Sequence, residues 1–290
     1  MKLFSLVFVL FSLVLGAQSR ALYEYKFASD STKQDSIQVE WMYLDINKNG
    51  SKYYSKQTFE SDSIAYASLQ KQMASGARSI NIEKKNPGKV DFEVEKSYPD
   101  YKVYLNTSLG SDHYRVPEDR EMKWEILPEK LQIGEFLAQK ATTHFAGRDW
   151  TAWFTMEVPI QDGPYKFHGL PGLIVKVEDS SGSHLMELKA FRKQEADSTL
   201  GEMEGPNGRN IPFVSKKKLE ISRAQYLKQL EAYKKDPVKG MREMLNRPNT
   251  TVSVSFNGSA TSNPSEILRG MEKRAHDKMK ANNNPIELIP

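Results

Sequence analysis

Histidines, carboxylates and nucleophile motifs are where chemistry would first declare itself in this 290-residue chain. The five histidines are His113, His144, His168, His184 and His276, and no two have the H-x-H or H-E-x-x-H spacing that brings two imidazoles onto one metal ion. His144 and His168 share the densest segment and could approach each other across strands. Asp45, Asn47, Asn49 and Gly50 match the first half of a calcium loop, but Lys56 stands where that loop needs a bidentate Glu. No Ser sits in a G-x-S-x-G elbow, and neither a P-loop nor S-x-x-K with its companion lactamase motifs is present. Carboxylates such as Glu157 and Asp162 could share acid–base work only if folding set them roughly 5–10 Å apart. Cysteine is absent, which rules out disulfides, thiolate metal ligation, Fe–S ligation and a Cys nucleophile. The expectation is therefore no catalytic residue, no metal and no cofactor.

The informative stretch is residues 134–179. Trp150, Trp153, Tyr165 and Phe167 crowd it with aromatics, and Arg148 follows Gly147 at a turn. Arg148 could clamp a carboxylate or phosphate bidentately, or tie a loop down. These five are the candidate ligand- or partner-binding residues. Trp150 and Trp153 are three apart on one strand, so they face opposite sides. Pro159, Gly163, Pro164, Gly169, Pro171 and Gly172 then bend the chain into a constrained loop. As an architectural clamp, that loop should bury Leu170 and Ile174, hold Gly172 at positive φ, and leave Arg148→Lys nearly neutral for stability. As a docking surface, it should instead expose Tyr165, Lys166 and Phe167.

Around this stretch the pattern is strand-rich. Alternation marks Tyr23–Tyr25–Phe27, Val39–Trp41–Tyr43, residues 51–55, Val90–Phe92–Val94, Tyr101–Val103–Leu105, Met122–Trp124–Ile126, and residues 136–145, 150–158, 172–177 and 184–192. Asn49-Gly50 reads as a hairpin turn. Such short intervals leave no room for crossover helices, so the sheet should be antiparallel. Residues 61–77 carry a weaker helical period. The tail is helical: Ser222 with Gln225 forms a capping box for residues 222–235, Pro237 opens a short helix, and Asn263 or Ser262 caps a last helix that has Pro264 in its first turn. Residues 251–256 could form a strand, and residues 201–209 form a loop. The fold class is α+β: a large curved antiparallel β-sheet with C-terminal helices whose apolar stripes should cover a sheet face or close one end.

The first nineteen residues read as a signal peptide. Lys2 is the positive end, and Leu3 to Leu15 is almost wholly apolar. As a helix that run spans about 20 Å, short of the roughly 30 Å hydrocarbon core. Cleavage is placed near Ala17 to Ser19. The chain is expected to be exported, periplasmic or extracellular, with no transmembrane segment once mature. Residues 20–290 then form a single domain, β-rich to about 200 and helix-rich from about 215. Lys+Arg is 41 against 37 for Asp+Glu, and the net charge of +4 is spread rather than clustered. That excludes nucleic acid as the expected partner.

Gly169, Leu170, Pro171, Gly172, Leu173 and Ile174 spell the signature of the GLPGLI family, exported proteins of the Bacteroidota, which this chain resembles. Gln139-Lys140-Ala141-Thr142, Gly147-Arg148, Trp150, Ala152-Trp153-Phe154, Pro159 and Gly163 to Phe167 resemble the family's central block. Residues 51–55 resemble its early hairpin, and residues 283–288 its usual ending. One departure is Ala138, where many members carry Cys. The resemblance implies a periplasmic protein of unknown molecular function, often encoded near TonB-dependent outer-membrane receptors. A curved sheet of this kind is also similar to the half-barrels of periplasmic lipoprotein carriers, a likeness of fold alone. The expected function is a non-catalytic binding or accessory protein of the cell envelope. Its partner would be a TonB-dependent receptor, or a hydrophobic ligand such as a lipid or peptide. The alternative is an envelope hydrolase with an unrecognised polar active site.

Overall fold

The computed structural model describes residues 18–75, 88–110, 112–194, 218–248, 252–256 and 259–288. The apolar leader before residue 18 and the 201–209 loop lie outside them. The elements run β1 (Gln18–Ala28), β2 (Ile37–Asn47), β3 (Gly50–Ser55), α1 (Lys56–Ala74), β4 (Glu93–Ser97), β5 (Lys102–Leu109), β6 (Asp112–Pro117), β7 (Glu125–Ile133), β8 (Phe136–Phe145), β9 (Arg148–Thr155), β10 (Leu173–Asp179) and β11 (His184–Gln194). They continue β12 (Leu219–Glu220), α2 (Arg223–Lys235), α3 (Lys239–Leu245), β13 (Val254–Phe256), β14 (Ser259–Thr261) and α4 (Pro264–Ala281).

Twelve strands form one open sheet in the order β12-β6-β5-β4-β3-β2-β1-β11-β10-β9-β8-β7. Every pairing in it is antiparallel except β12 on β6. Alternating burial along β1 reproduces the expected inward face, with Ala21, Tyr23 and Tyr25 buried.

Connectivity forces the sheet to curl. β6 and β7 sit ten strand positions apart, yet only residues 118–124 join them. In a flat sheet they would lie about 48 Å apart at roughly 4.8 Å per strand. Eight Cα steps cover at most about 30 Å. The two ends of the sheet therefore approach each other, and residues 118–124 cross the open mouth between them. The sheet does not close, because among the described residues β7 and β12 have no strand on their outer sides.

Several elements differ from the sequence reading. The hairpin turn is Lys48-Asn49, since Asn47 pairs with Gly50. The Asn47 side chain caps this turn by accepting from the Asn49 amide at 2.8 Å. The 61–77 helix starts earlier, at Lys56, and packs Phe59 against Tyr54 at 5.5 Å between ring centres. β6, β12 and β14 were not anticipated. The tail helices begin where capping places them: Ser222 and Gln225 bond reciprocally, and Asn263 accepts from the amides of Ser265 and Glu266. Their docking departs from expectation. α2 and α3 bury no residue, and α4 buries Ile267 alone. Instead of covering a face, α2 lies by the β5–β6 edge, where Tyr226 meets Tyr114 edge-on at 6.1 Å. No helix among the described residues is long and apolar enough to cross a membrane.

Candidate functional site

The concave side of the curled sheet is filled by the chain itself. Residues 156–172, between β9 and β10, fold inward as a plug, and Asp162 to Phe167 together with Leu170 are all buried. Three backbone contacts set its shape. The Asp162 amide reaches Ile160 O at 2.8 Å, the Gly169 amide reaches Gln161 O at 3.0 Å, and the Ile174 amide returns to Asp162 O at 2.9 Å. Tyr165 adopts a left-handed φ of 53°, which turns its ring inward.

Glycine is required at Gly172 for a reason other than the expected positive φ. A Cβ there would lie 2.0 Å from the Thr155 carbonyl oxygen, so close approach of two backbones excludes any side chain. The left-handed member of the motif is Gly169, at φ 90°.

Phe167 is the plug's apolar centre. Trp150 meets it edge-on at 4.8 Å, and Trp124, Phe145 and Tyr165 surround it at 6.1–6.3 Å. Lys96 of β4 anchors the polar side. It is fully buried, pairs with Asp162, and donates to Gly163 O at 2.6 Å. Tyr98 donates to the other Asp162 oxygen. Burial pulls the Lys96 pKa below its usual value, and the charge of Asp162 partly offsets this. β4 is five strand positions from β10, so this contact spans the interior.

A second network locks the plug to the mouth crossing and the C-terminus. Lys166 donates to Glu118 at 2.6 Å and to Glu287 at 2.5 Å, and Tyr165 OH donates to Glu287 at 2.6 Å. Arg120 takes Glu118 bidentately at 2.7 and 2.8 Å and reaches Glu287 at 2.8 Å. Burial would raise the Glu118 pKa, but the Arg120 hydrogen bond and the Lys166 charge outweigh it and hold the carboxyl at about 2.

Arg148 is buried and tied to the same C-terminal strap. It donates to Asp179 at 2.7 Å, to the Asn284 side chain at 2.6 Å and to Pro285 O at 2.7 Å. Both of its terminal nitrogens are engaged, so the expectation that Arg148→Lys is neutral for stability does not fit this geometry. His184, beside this cluster, accepts or donates at Nδ1 to Tyr25 OH at 2.8 Å. Burial first, then the Arg148 charge, brings its pKa down to about 4.

Apart from Trp153, the candidate residues thus gather in one place, and most of them are buried. Trp150, Tyr165, Phe167, Leu170, Leu173 and Ile174 are buried, as is Gly172. Trp153 points away from Trp150, as its spacing requires, and is half-buried. Gly169 and Pro171 are exposed at the loop's bends. The exposed Tyr165–Phe167 face that docking needs is absent. His144 and His168 do not meet: His144 pairs with Asp149 on the surface at 2.7 Å, whereas His168 belongs to the plug.

What remains open lies at the end of the sheet and at the plug's margin. β7 is the terminal strand at one end of the sheet, and nearly every residue along it is exposed. Around it Ile126, Leu131, Leu137 and Met156 are 47%, 46%, 51% and 60% exposed. Continuing the β8–β9 register from Gln139↔Phe154 places Leu137 opposite Met156. Sequence reasoning missed this edge, because an exposed Leu looks like any other Leu until strand order is known. A cleft also opens where β5, the mouth crossing and His168 meet.

A family model described as a protein of unknown function (Porph_ging) matches residues 145–176. Those residues are β9, the plug and the start of β10. No curated protein matches the sequence. Among solved structures, PNGF-II in the P21 space group is similar at 13% identity and a TM-score of 0.47, covering 83% of this chain and 35% of that one. PNGF-II in the C2 space group gives 13% identity and a TM-score of 0.45, covering 84% and 35%. The chain spans about a third of the length of those proteins.

Proposed function

We propose that this chain is an exported, non-catalytic binding or accessory protein of the cell envelope, taking an extended segment of a partner protein along the free side of β7. The observation that carries this reading is the unpaired edge with its exposed Ile126, Leu131, Leu137 and Met156. Strand addition at such an edge draws affinity from main-chain hydrogen bonds and specificity from alternate side chains. Natural sheets usually blunt a free edge, and β7 does so only in part, with Pro128 and the register shift between Ile126 and Lys130. Residues 130–133 pair regularly with β8, and no strand among the described residues pairs with their other side.

Export is supported by the apolar segment from Leu3 to Leu15 and the small residues after it. Membership of the GLPGLI family is supported by the six-residue signature at Gly169 to Ile174, within the segment that matches a family of unknown function. A TonB-dependent outer-membrane receptor is the partner class that this resemblance implies. A lipid held inside the curved sheet is the weaker form of the idea, since the plug's own aromatics fill that space. The hydrolase alternative would use either the cleft beside His168 or the one lined by Glu125, His144, Asp149 and Ser180.

The test is site-specific photo-cross-linking in whole cells from Leu131 and Leu137, with Lys33, on a distant exposed loop, as control. A discrete adduct from the β7–β8 positions, lost when the other position is changed to Lys, is the expected result. Equal adducts from Lys33, or none at the edge, would overturn the reading.

A further inference from the structure

The cleft beside the plug is distinct from the β7 edge. We propose that it binds a neutral hydroxylated ligand, a saccharide, with His168 Nε2 accepting a hydrogen bond from one hydroxyl. His168 is held from four directions. Its backbone bridges to Asp162, its carbonyl accepts from Trp124 Nε1 at 2.8 Å, and its Nδ1 lies 2.8 Å from Lys166 O. Tyr101, itself at a left-handed φ of 49°, stacks on the ring at 5.2 Å and 7°.

A carbonyl can only accept, so Nδ1 carries the proton and Nε2 keeps its lone pair. Burial pushes the imidazole pKa below its usual value, with the Lys96 charge adding to this against the Lys166 bond, so the ring stays neutral at neutral pH. Nε2 makes no hydrogen bond among the described residues. A fixed neutral acceptor selects a donor and turns away phosphate and carboxylate oxygens.

The walls point the same way. Arg120 is engaged by Glu118 and Glu287 and does not offer a free cation. Asp100 and Lys102 contribute one charge of each sign and form no ion pair among the described residues, so they can accept from and donate to further hydroxyls. Tyr104 and Met122 add apolar surface for a sugar ring's C–H face. The cleft volume of about 410 Å³ lies within the usual small-molecule range of roughly 300–1,000 Å³. A peptide amide is the other neutral donor, but β5 is paired on both sides and offers a peptide no free strand edge.

The test uses the mature protein, labelled with ¹⁵N-histidine. A glycan array selects the strongest saccharide, which is then titrated beside inorganic phosphate. The expected result is a saccharide that moves the His168 Nε2 resonance and binds about tenfold more weakly to His168→Phe, the upper end of what one hydrogen bond contributes. Exposed Asp100→Asn keeps the fold and should weaken binding about threefold, which decides the matter if His168→Phe does not fold. Leu131→Lys should leave saccharide binding unchanged, which separates this site from the edge. No glycan binding, phosphate binding at the same resonance, or affinity unchanged in Asp100→Asn with a still Nε2 signal would overturn the proposal.

Discussion

Gly172 and Arg148 show what single residues hold in place. A methyl at Gly172 meets the Thr155 carbonyl, which cannot swing away, so Gly172→Ala should destabilise by about 1–3 kcal/mol as overpacking. Leu170→Ala should cost about 2–5 kcal/mol. Thermal melts of both should fall well below wild type, and wild-type melting would contradict the packing. The sequence correctly marked Gly172 as indispensable but assigned the wrong cause, because close approach depends on a strand seventeen residues back in the chain and leaves no local trace. Arg148 was legible as a functional or structural arginine, yet its partners Asp179, Asn284 and Pro285 could not be read from spacing. Arg148→Lys offers one ammonium where two acceptors on the strap and one on β10 need a fork, so it should lower the melting temperature. The place of His184 beside this cluster was illegible for the same reason. Its folded pKa of about 4 lies below the unfolded value of 6.5. Between those values the unfolded chain binds the proton and the native one does not. Its contribution is therefore complete above pH 6.5 and is lost as pH falls toward 4. Glu118, held at about 2 against 4.5, adds a further loss below pH 4.5. Melting temperature against pH should slope downward on acidification from 6.5, and His184→Gln should flatten the 6.5-to-4 limb in part, since His168 is lowered too.

At the scale of elements, most strands were legible because alternation is local, though β6, β12 and β14 escaped it, and strand order was not legible. Pro128 marks Glu125 to Ile133 as suited to an edge, but nothing local reveals which strand it pairs with or that it ends the sheet. The helix ends at Ser222 and Asn263 were legible through capping, whereas their docking was misread: the stripes on α2 and α3 bury nothing among the described residues. A stripe states that a helix can pack, and the sheet had already filled its interior with the plug. The C-terminal strap is the opposite case, short and irregular yet fixed at both ends. Asn284 bonds Ala28 and Ser29, and the Leu288 amide reaches Ala146 O at 2.9 Å. Truncation after Asn282 would take the Glu287 carboxylate from buried Lys166 and two neutral acceptors from buried Arg148, and losing a partner of a buried charge costs about 3–5 kcal/mol. A urea melt of the truncated chain should show that loss, and an unchanged midpoint would mean that the strap is ornamental. β1 bears on the export boundary. Gln18 and Ser19 pair with Gln194 and Lys193 on β11, although the sequence boundary at 19 assigns them to the leader. If the proposed leader is removed, we expect Gln18 as the first residue of the mature chain, which N-terminal sequencing reads directly, and a start at Arg20 would remove that pairing.

For the molecule as a whole, a short crossing of residues 118–124 rolls twelve strands into an open curl, and a loop of the same chain occupies the space inside. The curved sheet was foreseeable from strand density. Its contents were not, since a Pro/Gly-bent aromatic loop reads equally as a surface for docking and as a core element. On the readings proposed above, this arrangement moves binding to the β7 edge and the His168 cleft and makes the motif from Gly169 to Ile174 a device of architecture. Hydrogen exchange of the native protein, read by mass spectrometry over residues 160–174, tests that claim most directly. The amides of Asp162, Gly169, Gly172, Leu173 and Ile174 are all hydrogen-bonded within the plug or to its neighbours. We expect them to exchange only with global unfolding, as slowly as β1 in the middle of the sheet. Exchange of this segment as fast as an exposed loop, while β1 stays protected, would contradict the plug and return the motif to the surface.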